Sequence, residues 1–268
     1  MRLDKPYISL IINLDSRKER NEFGGNNLTG VVDRDFMFEG VRNKIRYFEG
    51  FDFETIVFID KHENIPQIIL DYLYNVCDTV CIRKHTHEEK FNDANYLAAL
   101  QLARGEIICH MDSDLAVFTS SKEAIQEQID LLERFDFVSY PTPFSPNPDN
   151  NPNYNYWWCS SRYFMCKRGT IDITETEKCL ADYEYLYDTY PATVKNAWTE
   201  HIIALISKYR RNRFVYYPPL DYSKTLIFCW DNYRKGTLEM LNKMPYEEVK
   251  NWVLNNGGIF YPNQVAIR

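Results

Sequence analysis

Arg104-Gly105-Glu106-Ile107-Ile108-Cys109-His110-Met111-Asp112-Ser113-Asp114-Leu115 carries an apolar run straight into two carboxylates separated by one small residue. Short apolar runs of this kind mark parallel strands buried on both faces. Ligands of open α/β sheets sit beyond the carboxyl ends of such strands, so Asp112 and Asp114 are expected at a ligand-binding edge. Two carboxylates on adjacent bends of an extended chain can share a hard divalent cation, Mn2+ or Mg2+, that keeps open positions for phosphate oxygens. A cation held there neutralises a leaving diphosphate. The spelling alone does not decide this. Asp33-Arg34-Asp35 has the same D-x-D form, but it follows no apolar run and lies in a polar stretch expected to open a helix. A carboxylate at a strand end is otherwise a turn former or a helix N-cap, and only the strand context separates the two cases.

Outward from this stretch, residues Tyr7 to Asn13, Glu54 to Asp60 and Thr79 to Arg83 are further short runs rich in Ile and Val. The later intervals carry helical spacing. Pro66 suits the first turn of a helix in which Ile68, Ile69, Tyr72 and Leu73 share one face. Asn92 or Asp93 can cap the next helix, with Leu97, Leu100 and Ala103 turned inward and Gly105 ending it. The pattern is βαβαβ, which implies a mostly parallel central sheet flanked by helices, with Asp60 and Asp112 both at strand carboxyl ends. Beyond Asp114 we expect a helix from about Lys122 to Arg134, a strand near Phe137 to Tyr140, and a Pro/Asn-rich loop from Pro141 to Tyr156. An extended aromatic stretch, Trp157 to Lys167, follows. Helices are expected around Thr176 to Tyr187 and Ala197 to Tyr209, a strand at Arg213 to Tyr217, and one or two helices between Thr237 and Leu254.

The 268 residues, 45% hydrophobic, suffice for one large α/β domain. A net charge of -7 argues against general nucleic-acid binding, so an anionic substrate must be held by local cations or a metal. Tyr (20) and aromatics overall (15%) are plentiful, which suits either a generous core or stacking surfaces for sugars and bases. Seven cysteines with no C-x-x-C pair, several inside apolar runs, read as reduced thiols of a cytoplasmic protein. Cys77 and Cys81 with His85 and His87 have zinc-ligand chemistry, but their place at a helix-to-strand junction favours core packing. The short apolar segment from Ile8 to Ile12 is neither a signal peptide nor a spanning helix; peripheral assembly at a membrane stays open.

In motif order the chain resembles nucleotide-sugar glycosyltransferases of the GT-A fold over most of its length. Ile11 to Arg20 looks like the N-L-D-x-R-x-x-R opening of some of these enzymes. The resemblance puts Asn13, Asp15 and Arg17 at the nucleotide, although Asp15 can equally cap a helix. Asp60 matches a strand-end aspartate that bonds the base, often uracil, and an acceptor-only carboxylate suits an imide N–H. Ala103 to Ile107 echoes the family's A-R-G-E-Y-I run. By resemblance Asp114 binds the cation directly, Asp112 reaches the ribose or the metal, and Ser113 lies against the nucleotide. Trp198-Thr199-Glu200-His201 looks like the W-x-E-D or T-E-D segment beneath the acceptor site. With His in the last place, the general base is either Glu200 or His201; the same residues also fit an ordinary capping pattern. Trp157, Trp158 and Trp198 are the candidates for acceptor binding.

The family's late histidine ligand has no counterpart, because no histidine follows His201. The metal shell is then completed by diphosphate and water, by Asp221 or Asp231, or by His201. Arg162, Lys167 and Arg168, and the cluster Lys208, Arg210, Arg211 and Arg213, are candidate phosphate contacts. The resemblance implies a single GT-A-like domain over 1–268, with a nucleotide-sugar half at 1–115 and an acceptor-binding, catalytic half at 116–268. It implies a metal-dependent glycosyltransferase, inverting, with a UDP-linked donor and a glycan, lipid-linked sugar or protein acceptor. Two alternatives are weighed: a non-catalytic carbohydrate- or nucleotide-binding protein on the same fold, and a sugar-phosphate nucleotidyltransferase. The second normally needs a Gly-rich basic loop, for which only Gly24-Gly25 offers material.

Overall fold

The computed structural model describes residues 6–15, 34–61, 67–84, 100–112, 115–139, 163–171, 215–216, 221, 223–229 and 237–255. Four strands near the start of the chain form the parallel part of one sheet: β1 (Ile8–Asp15), β2 (Phe53–Lys61), β3 (Thr79–Lys84) and β4 (Ile107–Asp112). They lie in the order β3-β2-β1-β4. β1, β2 and β4 are apolar runs buried on both faces, with Ile8, Leu10 and Ile12 on one side of β1 and Ile11 on the other, whereas the edge strand β3 leaves Ile82 exposed. That double burial is why these strands read as continuous apolar runs rather than alternating ones.

The sheet continues past β4 through β6 (Phe137–Ser139), β7 (Tyr163–Lys167) and β8 (Val215–Tyr216), in the order β4-β7-β6-β8. β7 runs antiparallel to both β4 and β6, and β8 runs parallel to β6. The sheet is therefore mostly parallel, as the βαβ pattern implies. Helices α1 (Arg34–Tyr47), α2 (Gln67–Val76) and α3 (Lys122–Asp130) supply Val41, Tyr47, Ile69, Leu73, Ile125 and Ile129 to one core on a single face. A 3-10 turn, Leu131–Glu133, extends α3 to the expected length. Among the described residues no helix is long and apolar enough to cross a membrane.

Two strands were not legible from the pattern. β5 (Leu115–Thr119) begins three residues after β4 ends and leaves the main sheet to pair antiparallel with β9 (Thr225–Cys229). Behind this ribbon sit α4 (Thr237–Asn242) and α5 (Tyr246–Asn255), the two expected tail helices. Ala116, Phe118 and Leu226 pack there against Leu238, Leu241, Val249 and Val253.

Two expectations need correction. Ile68 does not face inward with Ile69 and Leu73 but is 50% exposed, because it stands beside the buried stripe rather than on it. Gly105 is not a left-handed helix cap, since positive φ occurs among the described glycines only at Gly50 and Gly169. Gly105 is required for close approach: a Cβ there would lie 2.5 Å from the backbone nitrogen of Ser9.

Candidate active site at the carboxyl edge of the sheet

The register of β2, β1 and β4 gathers the strand-end polar residues. Asp15 pairs with Asp60 across β1 and β2, and Asn13 pairs with Asp112 across β1 and β4. Paired residues share a face and successive residues alternate, so positions 13, 15, 60 and 112 all fall on one face at one edge. Neighbouring strands lie about 4.8 Å apart. Asp60 and Asp112 stand two strands and two residues apart, about 12 Å, with Asn13 and Asp15 on the strand between them. Among the described residues no group of three or more His, Cys, Asp or Glu is placed to hold a metal ion, but the oxygen-only chemistry of these positions is that of a hard divalent ion rather than zinc or copper.

Asp112 keeps a quarter of its side chain exposed, and its Oδ1 lies 3.5 Å from His110 Nε2. The distance alone would make an ion pair, but the chemistry does not. His110 is buried under the face that carries Asp112, with its ring edge-on to Phe164 at 5.3 Å between centroids. Desolvation lowers its pKa to about 3. The imidazole is therefore neutral at physiological pH, and the contact is not an ion pair.

The chain leaves β4 at Asp112 and re-enters extended structure at Leu115, so the D-x-D motif spans the step between the main sheet and the β5–β9 ribbon. Cys229, the last residue of β9, stands opposite Leu115. Ser113, Asp114, Arg17, Trp157, Trp158, Trp198, Glu200 and His201 lie outside the described residues, as do Arg162, Asp231, His85, His87 and the basic cluster at Lys208, Arg210, Arg211 and Arg213.

Three expectations fail on register. Asp221 precedes the Thr225 end of β9, which pairs with Thr119, so it sits about 13 Å along β5 from Leu115. Its carboxylate there accepts from the Ser223 N–H (2.9 Å) and Oγ (2.6 Å), which hold its pKa below the usual range. Lys167 pairs with Ile107, at the opposite end of β4 from Asp112, and its Nζ donates to Glu133 Oε1 at 2.8 Å. The Arg168 N–H donates to the Glu106 carbonyl at the same far end. None of the three serves the acidic edge. A cavity of about 250 Å3 lined by Arg46, Thr119, Ser121 and Lys122 also lies beyond the Thr119 end of β5.

The free thiols are consistent with core packing: Cys109 and Cys166 are buried, and Cys77 and Cys81 half-buried. Burial pushes the Cys77 thiol up to about 12.

No family model matches the chain, and no curated protein matches it in sequence. Solved structures do. The mannosyltransferase PcManGT from Pyrobaculum calidifontis, in complex with GDP-Man and Mn2+, matches at 15% identity and a TM-score of 0.48, over 81% of this chain and 56% of that one. The glycosyltransferase GlyE of Streptococcus pneumoniae TIGR4 matches at 9% identity and 0.48, over 93% and 64%. The 4-diphosphocytidyl-2C-methyl-D-erythritol synthase of Anaerococcus prevotii matches at 18% and 0.42, over 94% and 100%. This chain thus spans little more than half of the mannosyltransferase. With every TM-score below 0.5, these likenesses carry no weight in assigning a reaction.

Proposed function

We propose that the protein is a metal-dependent glycosyltransferase that uses a nucleoside-diphosphate sugar as donor. The observation that supports this best is the register that brings positions 13, 15, 60 and 112 to one sheet edge, two residues before Asp114. Asp60 accepts a hydrogen bond from the base, with Asn13, Asp15, Arg17 and Ser113 around the nucleotide. Asp112 and Asp114 hold Mn2+ or Mg2+, which neutralises charge on the departing diphosphate. Asp231 follows Cys229 by two residues, and Cys229 ends opposite Leu115. It is therefore a better third ligand than Asp221.

The acceptor hydroxyl attacks the anomeric carbon while the bond to the diphosphate oxygen breaks. Its proton passes to Glu200 or His201, and Trp157, Trp158 and Trp198 hold the acceptor. One base and direct displacement give inversion.

The test is release of nucleoside diphosphate from a panel of UDP-, GDP- and dTDP-sugars with Mn2+. Turnover in wild type, lost with EDTA and in Asp114→Ala, supports the reading. Mn2+-dependent donor binding without turnover, with or without candidate acceptors, would instead support a non-catalytic binder. Release of pyrophosphate from a nucleoside triphosphate and a sugar phosphate would replace the reading with a nucleotidyltransferase.

A further inference from the structure

β5 presents one edge to β9 and the other to α1, and α1 satisfies that second edge with side chains. Asn43 Oδ1 accepts from the Val117 N–H at 2.8 Å, and Asn43 Nδ2 donates to the Val117 carbonyl at 3.0 Å. Its amide thus takes the place of a neighbouring strand's peptide. The next residue, Lys44, donates from Nζ to the Leu115 carbonyl at 2.6 Å and to its own helix at Gly40 O. Residues 115 and 117 present their backbone groups to the same edge, so one helical turn holds both.

Asn43 is fixed in turn. Its Nδ2 donates to Asn242 Oδ1 at 2.9 Å, and Asn242 Nδ2 donates to Glu39 Oε2 at 2.8 Å, tying α4 to α1. Lys44 is wholly buried. Its ammonium bridges the Gly40 carbonyl of α1 and the Leu115 carbonyl of β5, so the helix and the strand are joined at that point. The β5 carbonyl this buried ammonium grips belongs to the residue directly after Asp114.

On the reading of Asp112 and Asp114 as a metal–diphosphate clamp, we infer that Asn43 and Lys44 pin β5 so that Asp114 meets the cation in a fixed position. Lys44 is a positioning residue acting through the Leu115 carbonyl. If the pin sets the geometry that binds, ligand must tighten the pin by the same factor, because coupling is reciprocal.

The experiment is a Mn2+ titration followed by electron paramagnetic resonance in saturating UDP, on wild type, Asp114→Asn, Lys44→Met and Asn43→Ala, each below its melting temperature. The expected result is binding lost in Asp114→Asn, weakened at least tenfold in Lys44→Met and at least threefold in Asn43→Ala. Affinities within twofold of wild type in the two α1 variants, with only their Tm lowered, would overturn the pin and leave the clamp standing. Unchanged binding in Asp114→Asn, or none in wild type, would overturn the clamp itself. Should the α1 variants not fold, amide exchange in wild type decides. Mn2+ with UDP should slow the Val117 amide by a larger factor than the Ile129 amide of α3, and equal slowing would end the proposal.

Discussion

His110 shows how much a single buried residue can set. It stands in the apolar core of β4 and cannot hold a proton until pH falls to about 3, because burial penalises the imidazolium. In the unfolded chain a histidine titrates near 6.5. Between these values the unfolded state binds a proton that the native state refuses, so this residue's contribution is complete above pH 6.5 and is lost as pH falls toward 3. The slope reaches about 1.4 kcal/mol per pH unit. We expect the stability difference between wild type and His110→Leu, from urea unfolding at pH 4 to 7, to grow in favour of wild type as pH rises. Parallel curves would show that His110 is solvated or protonated in the fold. The neutral ring brings no positive charge to the position of Asp112.

At the scale of elements, β4 is held at the end away from the site. Glu54 on β2 is buried and accepts from Ser9 Oγ (2.6 Å), from the Arg104 backbone N–H (2.7 Å) and from Arg104 Nε (2.8 Å). Ser9 Oγ accepts in turn from the Gly105 N–H at 2.8 Å. Arg104-Gly105 therefore sets where β4 starts against β1, and with it the pairing of Asp112 with Asn13 five residues along. Arg104 keeps about a third of its side chain exposed, so Arg104→Ala, which takes the guanidinium from the buried Glu54 carboxylate, should cost about 1–3 kcal/mol in urea unfolding. Adding Glu54→Leu should recover part of the loss, since the stranded charge is then gone. A cost in the double variant equal to the sum of the two singles would refute the coupling. These contacts explain what was readable beforehand. β1, β2 and β4 declared themselves because burial on both faces leaves apolar runs, and Asp60 and Asp112 were placed at strand ends by that alone. β5 and β9 were not seen. Leu115–Thr119 is a short apolar run pressed against the end of another, and its partner lies more than a hundred residues away, where no local period points back. Lys167 and Arg168 look like phosphate contacts in the sequence because it does not reveal strand direction. β7 runs antiparallel to β4 and carries both to the wrong edge.

For the whole molecule, charge decides how an anionic donor is held. A chain of net charge -7 repels a nucleoside diphosphate at long range, and the acidic edge repels it again at contact. Metal is therefore expected to control binding rather than merely turnover. Ligand at a hundred times its Kd stabilises the native state by about 2.7 kcal/mol. For a chain of this size each kcal/mol raises Tm by about 2–4 °C, so saturating UDP or GDP with Mn2+ should raise Tm by about 5–10 °C. The same nucleotide in EDTA should give no shift, because repulsion is then uncompensated. Salt supplies an independent check. A basic nucleotide-binding groove loses affinity steeply as ionic strength rises, whereas here added salt screens repulsion between protein and donor while leaving short metal contacts little affected. The Mn2+-dependent shift should thus hold nearly constant between 50 and 300 mM NaCl. A shift that persists in EDTA and collapses with salt would mean that basic side chains, not the carboxylates at the sheet edge, hold the nucleotide.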